Sequence, residues 1–322
     1  MKKTKFLTFG IVLMVLPMLF LSVIEVQAAT EKPVIVCTTS AVGSVVEEML
    51  GDTADVLVLV QPGLCPADFD MKPGYVDAVS KAQILFKQGI PGEFWLDGLL
   101  EAAGNGDLTV VAIHGVYNTP DGAKNYIRGV GGNLSQILGI NLDSEVSGML
   151  NDVDAVSSWM SSQAEAYDAS NVKVICMAWL KTFIESVGFD VVATYNPPET
   201  LSMGDITGLI DTAQNEGVAL IVDNLQIDTE FGDGIASEAG AEHVVLTNFP
   251  GAIPNTENFA QMFRYNAEQL FNGTATWQST GTLRAERDDL ENQVAIFQMT
   301  TALLIIVACV EAVLILAKRK RK

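Results

Sequence analysis

Histidine is almost missing from this chain: His114 and His243 are the only two among 322 residues. A metal centre built on three imidazoles is therefore excluded by arithmetic. Cysteine is nearly as sparse. Of four, Cys309 falls in a long apolar stretch, which leaves Cys37, Cys65 and Cys176. Three thiols leave at least one free unless it pairs between chains, and so few argue against a disulfide scaffold. Positive charge is the third scarcity, with 19 Lys and Arg against 39 Asp and Glu. Three of the 19 lie at Lys2, Lys3 and Lys5 and five in the final Lys318-Arg-Lys-Arg-Lys322, leaving 11. Only Glu25 and Glu311 among the acids lie in the apolar end segments, leaving 37, so the stretch between carries a charge near −26. Such a surface repels nucleic acid and anionic lipid, and neither is expected as a partner. It suits a salt-rich exterior or a cationic ligand. No Gly-rich phosphate loop, nucleophile elbow or His-centred acid–base pair stands in a suitable position, so an enzyme is not expected.

Both ends are apolar. Three lysines precede the run from Phe6 to about Ile24, and Val26-Gln27-Ala28 supplies small residues, the pattern of a secretory signal peptide over residues 1–29. Residues 299–317 are apolar apart from Thr300, Thr301 and Glu311, long enough to cross a hydrocarbon core of roughly 30 Å. The basic tail, 318–322, marks the cytoplasmic side. The expected protein is single-pass in the cell membrane, with its ectodomain outside and its C-terminus cytoplasmic. Glu311 is costly in such a span; it reaches the inner headgroups or Lys318, or it pairs with a partner helix.

Between the ends, strand and helix alternate. Strands are expected at Pro33–Thr38, Ala54–Val60, Ile84–Lys87 and Thr109–Ile113, with helices at Val42–Leu50, Val76–Ala82 and Phe94–Ala103. Residues 114–128 look irregular, with Asn118-Thr-Pro-Asp-Gly122 as a turn cluster, and 129–139 hold a short helix at best. Val146, Met149, Leu150, Val153, Val156 and Met160 keep helical spacing, predicting one long helix over 143–168. The alternation then restarts: strands Val172–Met177, Asp190–Thr194, Val218–Val222 and His243–Leu246, with helices Leu180–Val187, Met203–Glu216, Ile227–Gly240 and Thr256–Phe271. Val-rich strands in a βαβα rhythm mean parallel sheets flanked by helices. The expected fold is thus two α/β lobes, 30–142 and 169–272, joined by a linker helix. A Thr/Gly/Ser-rich linker follows from Asn272 to Gly281. Leu283, Leu290, Val294 and Phe297 recur near heptad spacing, so 273–298 reads as linker and stalk, open to self-association. Asn133-Leu-Ser and Asn272-Gly-Thr fit the glycosylation acceptor pattern.

The second strand ends at Pro62-Gly63, and the loop beyond carries Cys65, Pro66, Ala67, Asp68, Phe69 and Asp70. Ligands of open α/β sheets collect past the carboxyl ends of strands. This wording resembles the family of periplasmic zinc- and manganese-binding proteins that feed metal ABC importers, the TroA-like cluster. Val36-Cys-Thr-Thr-Ser40, Ile90-Pro-Gly-Glu-Phe-Trp-Leu96 and Met262-Phe-Arg-Tyr-Asn266 resemble its first strand, a Trp-Leu segment and its terminal helix. The resemblance covers about Val34 to Gly273. It implies a ligand cleft between the lobes, an ABC permease and ATPase as partners, and a transported metal ion. It also implies four metal ligands, none of which is retained. The first falls at Ala67, the second lies in the His-free segment Pro120–Arg128, the third at Met177 and the last at Asn248.

The residues left at or near those positions are Cys65, Asp68, Asp70, Met177 and Asn248. Cys65 and Met177 face the cleft on the family frame or are ordinary core fillers. Soft donors select Cu(I)-like ions over Mn²⁺, yet Cys176 and Met177 are neighbours on a strand and point to opposite faces. Asp68 and Asp70 bind a cation or cap nearby backbone. Cys37 belongs in a strand core, and His114 and His243 sit at strand ends away from ligand duty. Lys124 and Arg128 line the cleft for an anion or are solvated loop charges. The expected function is a membrane-anchored extracellular solute-binding protein with an altered ligand site. The alternative is a surface receptor, adhesin or assembly component that reuses the fold.

Overall fold

The computed structural model describes residues 32–319; the side chains at 283–289, 291, 304 and 306–319 lie outside the described set. The predicted signal peptide, the end of the basic tail and the side chain of Glu311 therefore fall outside the described residues.

The first lobe is a four-stranded parallel sheet in the order β2-β1-β3-β4. Its strands are β1 (Val34–Cys37), β2 (Asp55–Val58), β3 (Ile84–Lys87) and β4 (Thr109–Ala112). Between them run α1 (Ser40–Leu50), α2 (Pro73–Lys81) and α3 (Leu96–Ala103). Successive residues of a strand point to opposite faces, and the central strands are apolar on both. Ile35, Cys37, Ile84 and Phe86 enter one buried cluster, while Val36 and Leu85 enter another with Leu59, Val79 and Leu99.

Two long helices follow, α4 (Pro120–Leu138) and α5 (Asp143–Ala166). Of the segment 114–128 expected to be irregular, 114–119 is so, while 120–128 is the first half of a nineteen-residue helix. Its opening shows why: Thr119 Oγ1 accepts from Gly122 N at 3.2 Å, and Pro120 sits in the first turn, where it has no N–H to satisfy. Gly131 lies inside this helix because a Cβ there would come within 2.5 Å of Val146, so α4 and α5 pack closely at that point.

The second lobe repeats the first, with strand order β6-β5-β7-β8 and all neighbours parallel. It comprises β5 (Lys173–Met177), α6 (Lys181–Val187), β6 (Asp190–Tyr195), α7 (Met203–Glu216), β7 (Leu220–Asn224), α8 (Phe231–Ala239) and β8 (Glu242–Leu246). The chain then enters α9, Phe259–Arg319. It runs through the expected linker at 272–281 without a break. Gly273 is required there, since a Cβ would stand 2.7 Å from Val244. Residues past Trp277 leave the body of the lobe, and Leu290, Val294 and Phe297 are exposed. Among the described residues no helix is long and apolar enough to cross a membrane.

One apolar cluster joins the two lobes. It runs from Ile35 and Val45 through Tyr126, Met149 and Met160 to Phe183, Leu220 and Phe263. The linker helix and α4 are the bridge between the sheets.

Candidate functional site between the lobes

The carboxyl ends of the two sheets face each other. Ser40, just past β1, donates from Oγ to Pro250 O at 2.7 Å. Pro62, just past β2, accepts from Gln226 Nε2 at 2.9 Å. Tyr117, past β4, stacks on Phe249, past β8, with ring centroids 6.2 Å apart. Asn118 reaches Trp179 O at 2.9 Å, and Thr182 Oγ1 donates to Asn118 Oδ1 at 3.2 Å. Every one of these contacts crosses from one lobe to the other, so the cleft is closed. Phe249, itself 5% exposed, fills part of it.

On the first-lobe side, the loops past β1 and β3 are tied together by a buried carboxylate. Glu93 accepts from Thr38 Oγ1, from Gln88 N at 3.1 Å, from Gly89 N at 2.6 Å and from Ile90 N at 3.2 Å. Gln88 Oε1 takes the Thr39 hydroxyl at 2.6 Å. Burial pushes the Tyr117 hydroxyl up to about 12, against a smaller opposing effect of the nearby Gln88 amide. The loop past β2 is pinned from below: Trp95 Nε1 donates to Pro66 O at 2.8 Å, and Phe69 stacks on the Trp95 ring at 3.9 Å. Pro66, Phe69 and Trp95 are therefore framework, holding a loop whose charged residues turn outward.

The second-lobe side is a network of neutral polar groups. Gln226 Nε2 also donates to Thr247 Oγ1 at 2.8 Å, and Gln226 Oε1 accepts from Asn248 N at 3.2 Å. Asn266 on α9 brackets the Thr247 peptide, its Oδ1 3.1 Å from Thr247 N and its Nδ2 2.7 Å from Thr247 O. Deeper in the lobe, Asp223 is wholly buried. Its carboxylate accepts from Tyr195 Oη and from Gly232 N at 2.8 Å, and it meets His243 Nε2 at 2.8 Å.

The sequence-selected residues are spread through this layer. Cys65 is half-buried ahead of the short turn Pro66–Asp68, and Asp68 and Asp70 are exposed. Neither carboxylate caps α2, whose N-cap is Lys72 and carries no side-chain bond. Met177 is fully buried, as is Cys176, whose thiol burial pushes up to about 12. Asn248 is 7% exposed and joins the Gln226 network through its backbone. Among the described residues no group of three His, Cys, Asp or Glu is placed to hold a metal ion. Lys124 bonds to Asp121 and Asp154 on the helices, at 2.9 and 2.8 Å. Of the two glycosylation triplets, Asn133 donates its amide to Gly129 O within α4, and Thr274 is buried within α9.

Glu93, Asp223, Gln88 and Phe249 were not singled out from sequence. Glu93 had a signal: it stands third after Ile90, behind Pro91 and Gly92, where a capping carboxylate belongs. Asp223-Asn224 had one too, as a polar pair ending the apolar run Val218–Val222. Phe249 had none.

The signature of the family described as ZnuA, zinc-uptake complex component A, periplasmic, matches residues 35–273. The manganese-binding lipoprotein MntA of Halalkalibacterium halodurans is 21% identical over 278 residues, 74% of this chain and 87% of that one. Among solved structures, a Mn-bound periplasmic metal-binding protein from Candidatus Liberibacter asiaticus aligns with a TM-score of 0.65 at 12% identity, covering 76% of this chain and all of that one. A ZnuA crystal structure aligns at 0.63 with 18% identity over 76% of this chain and all of that one. At such identities the structural likeness speaks for the fold alone, and it is the sequence match over both lobes that makes this chain a member of the ZnuA family of periplasmic metal-uptake components.

Proposed function

We propose that this chain is the membrane-anchored, extracellular solute-binding protein of a metal-type ABC import system, with its ligand site altered. The observation that carries this reading is the opposed pair of parallel sheets, carboxyl end to carboxyl end, in a chain of this family. Loops at those ends are where α/β folds hold ligands. The four family ligand positions hold no histidine, so the usual imidazole-and-carboxylate site for Zn²⁺ or Mn²⁺ is not open to this chain. The ligand contacts then come from the residues of the closed layer, with Cys65, Asp68, Asp70, Met177 and Asn248 as the cleft candidates from sequence. A permease and an ATPase are the partners. Residues 299–317 form the anchor, the signal peptide directs export, and the exposed apolar positions of the stalk offer a self-association stripe.

The alternative, a receptor, adhesin or assembly component, is favoured by one feature. The Tyr117–Phe249 stack and the Ser40 and Gln226 bonds tie the two lobes directly to each other, as suits a rigid surface component. Two experiments separate the readings. Protease added to intact cells should release a soluble fragment ending beyond Gly281, because Gly273 is packed on Val244 while residues near Leu290 are exposed. Complete protection refutes the orientation. The tagged full chain, extracted from its own membrane, should bring down a permease and an ATPase subunit. A folded chain that captures neither leaves the alternative standing.

A further inference from the structure

Among the described residues, three side-chain polar atoms are buried with no hydrogen-bond partner: Gln88 Nε2, Tyr126 Oη and Asn224 Nδ2. All three lie where the lobes meet. Gln88 follows β3 at its carboxyl end. Tyr126 lies on α4 with its ring 5.8 Å from Tyr117 and 6.0 Å from Phe259. Asn224 is the last residue of β7 in the opposite lobe. Their exposures are 4%, 2% and 1%, so water from outside does not serve them.

The missing groups are acceptors. Asn224 Oδ1 takes Gln226 N at 3.0 Å, which fixes Nδ2 as the unpartnered end. Gln88 Oε1 takes the Thr39 hydroxyl, and turning that amide over would strand the hydroxyl proton instead. Tyr117 lies beside the Gln88 amide without meeting it in hydrogen-bond geometry. Tyr126 stays protonated, since burial raises its ionisation well above the ordinary range. A buried donor left unpaired is costly, so a closed cleft with three of them is open to a partner that accepts.

The charges around them narrow what completes it. A bare cation needs free oxygens, and both Glu93 oxygens are already occupied by a hydroxyl and three backbone N–H groups. An anion needs positive partners, and among the described residues no Lys, Arg or His is buried. It would also sit beside the Glu93 carboxylate. Tyr117, Phe249 and Phe259 supply aromatic walls, and a few fixed polar groups among aromatic walls is how proteins hold organic molecules.

We propose that the inter-lobe cleft takes an uncharged organic ligand whose carbonyl, ether or hydroxyl oxygens accept hydrogen bonds from Gln88 and Tyr126 in one lobe and from Asn224 in the other. The proposal rests on the solute-binding reading and names the ligand class for that same site. Entry requires the Ser40–Pro250 and Gln226–Pro62 bonds and the Tyr117–Phe249 stack to part, and closure re-forms them around the ligand.

The test uses the full chain in detergent, incubated with the sub-kilodalton fraction of spent medium from the producing cells. Native mass spectrometry and analysis of the released small molecules read what is bound. The expected result is one uncharged, oxygen-bearing compound per chain, retained about tenfold less by Asn224→Leu and by Gln88→Leu. Each variant also removes an acceptor, for Gln226 N in one and for the Thr39 hydroxyl in the other, so both are first shown to be folded by circular dichroism and cooperative thermal unfolding. A metal ion or charged compound in its place, equal retention by the variants, or no bound compound at all overturns the proposal. Permease capture without such a compound sinks the proposal and spares the transport reading; no capture and no compound sinks the reading itself.

Discussion

Two buried polar regions of this protein are built to opposite standards. Within the lobes, Glu93 and Asp223 are carboxylates removed from water, and neither meets a Lys or Arg. Each is instead surrounded by neutral or backbone donors: four for Glu93, and Tyr195, Gly232 and His243 around Asp223. Between the lobes, an amide, a phenol and a second amide are left with nothing to bond. Each lobe accounts for its own polar groups, and the layer where they meet does not. Buried polar groups are normally satisfied because the cost of leaving them is large, and these three donors are the points at which the proposed ligand would bind.

The largest effect should come from breaking the complete side of that comparison. Asp223→Ala strands the Gly232 amide and His243, and leaves Tyr195 Oη only Val222 O at 2.9 Å. We expect a loss of about 3–5 kcal/mol in urea unfolding, since hydrogen bonds to a charged group are worth about 1.5–3 kcal/mol each and at least two are lost outright. A loss below about 1 kcal/mol would mean that the network is not closed as described. Glu93→Gln should cost less, about 1.5–3 kcal/mol, because one oxygen remains to accept. Its effect should be local as well. The 88–90 backbone loses its anchor, and amide exchange there should rise while β5 to β8 stay protected.

How much of this was open to sequence differs by region for physical reasons. The βα alternation was legible because short Val- and Ile-rich runs between helices leave few other folds, and the linker helix because its apolar spacing is uninterrupted. Helix α4 was hidden by its own cap. Thr119, Pro120 and Gly122 serve a turn and a helix start equally well, and only the packing of Gly131 on Val146 decides between them. The run of α9 through Gly273 and Gly281 was hidden likewise, since a glycine needed for close approach to Val244 looks like a linker glycine. From sequence the strand ends could be named as the place to look for a site, but the chemistry there could not be read. Glu93 and Gln88 are far from Thr38 and Thr39 in sequence, and no periodicity reports that four loops converge.

The smallest expected effect bears on the boundary between the two regions, at Tyr117. This residue touches both, sharing the first-lobe pocket of Glu93 and Gln88 and stacking on Phe249 of the second lobe. Burial raises its ionisation from the ordinary value of 10 to about 12, with Glu93 adding to the rise and Gln88 opposing it. The folded chain therefore keeps a proton that the unfolded chain has begun to lose. Stability from this group is fully present below pH 10 and falls as pH climbs toward 12, because the unfolded state then binds fewer protons than the native one. Two units correspond to at most about 2.7 kcal/mol, and Tyr117 is only partly covered, so about 1–2 kcal/mol is the expected loss. Tyr117→Phe should match the wild type in urea unfolding near neutral pH to within about 1 kcal/mol, since the ring stack on Phe249 is kept. Above pH 10 it should lose less stability than the wild type. Tyr126 and Tyr195, whose ionisations are also raised by burial, keep a residual alkaline slope in the variant. Parallel alkaline limbs for the two proteins would show that the Tyr117 hydroxyl faces solvent, and that the lobes do not close over it.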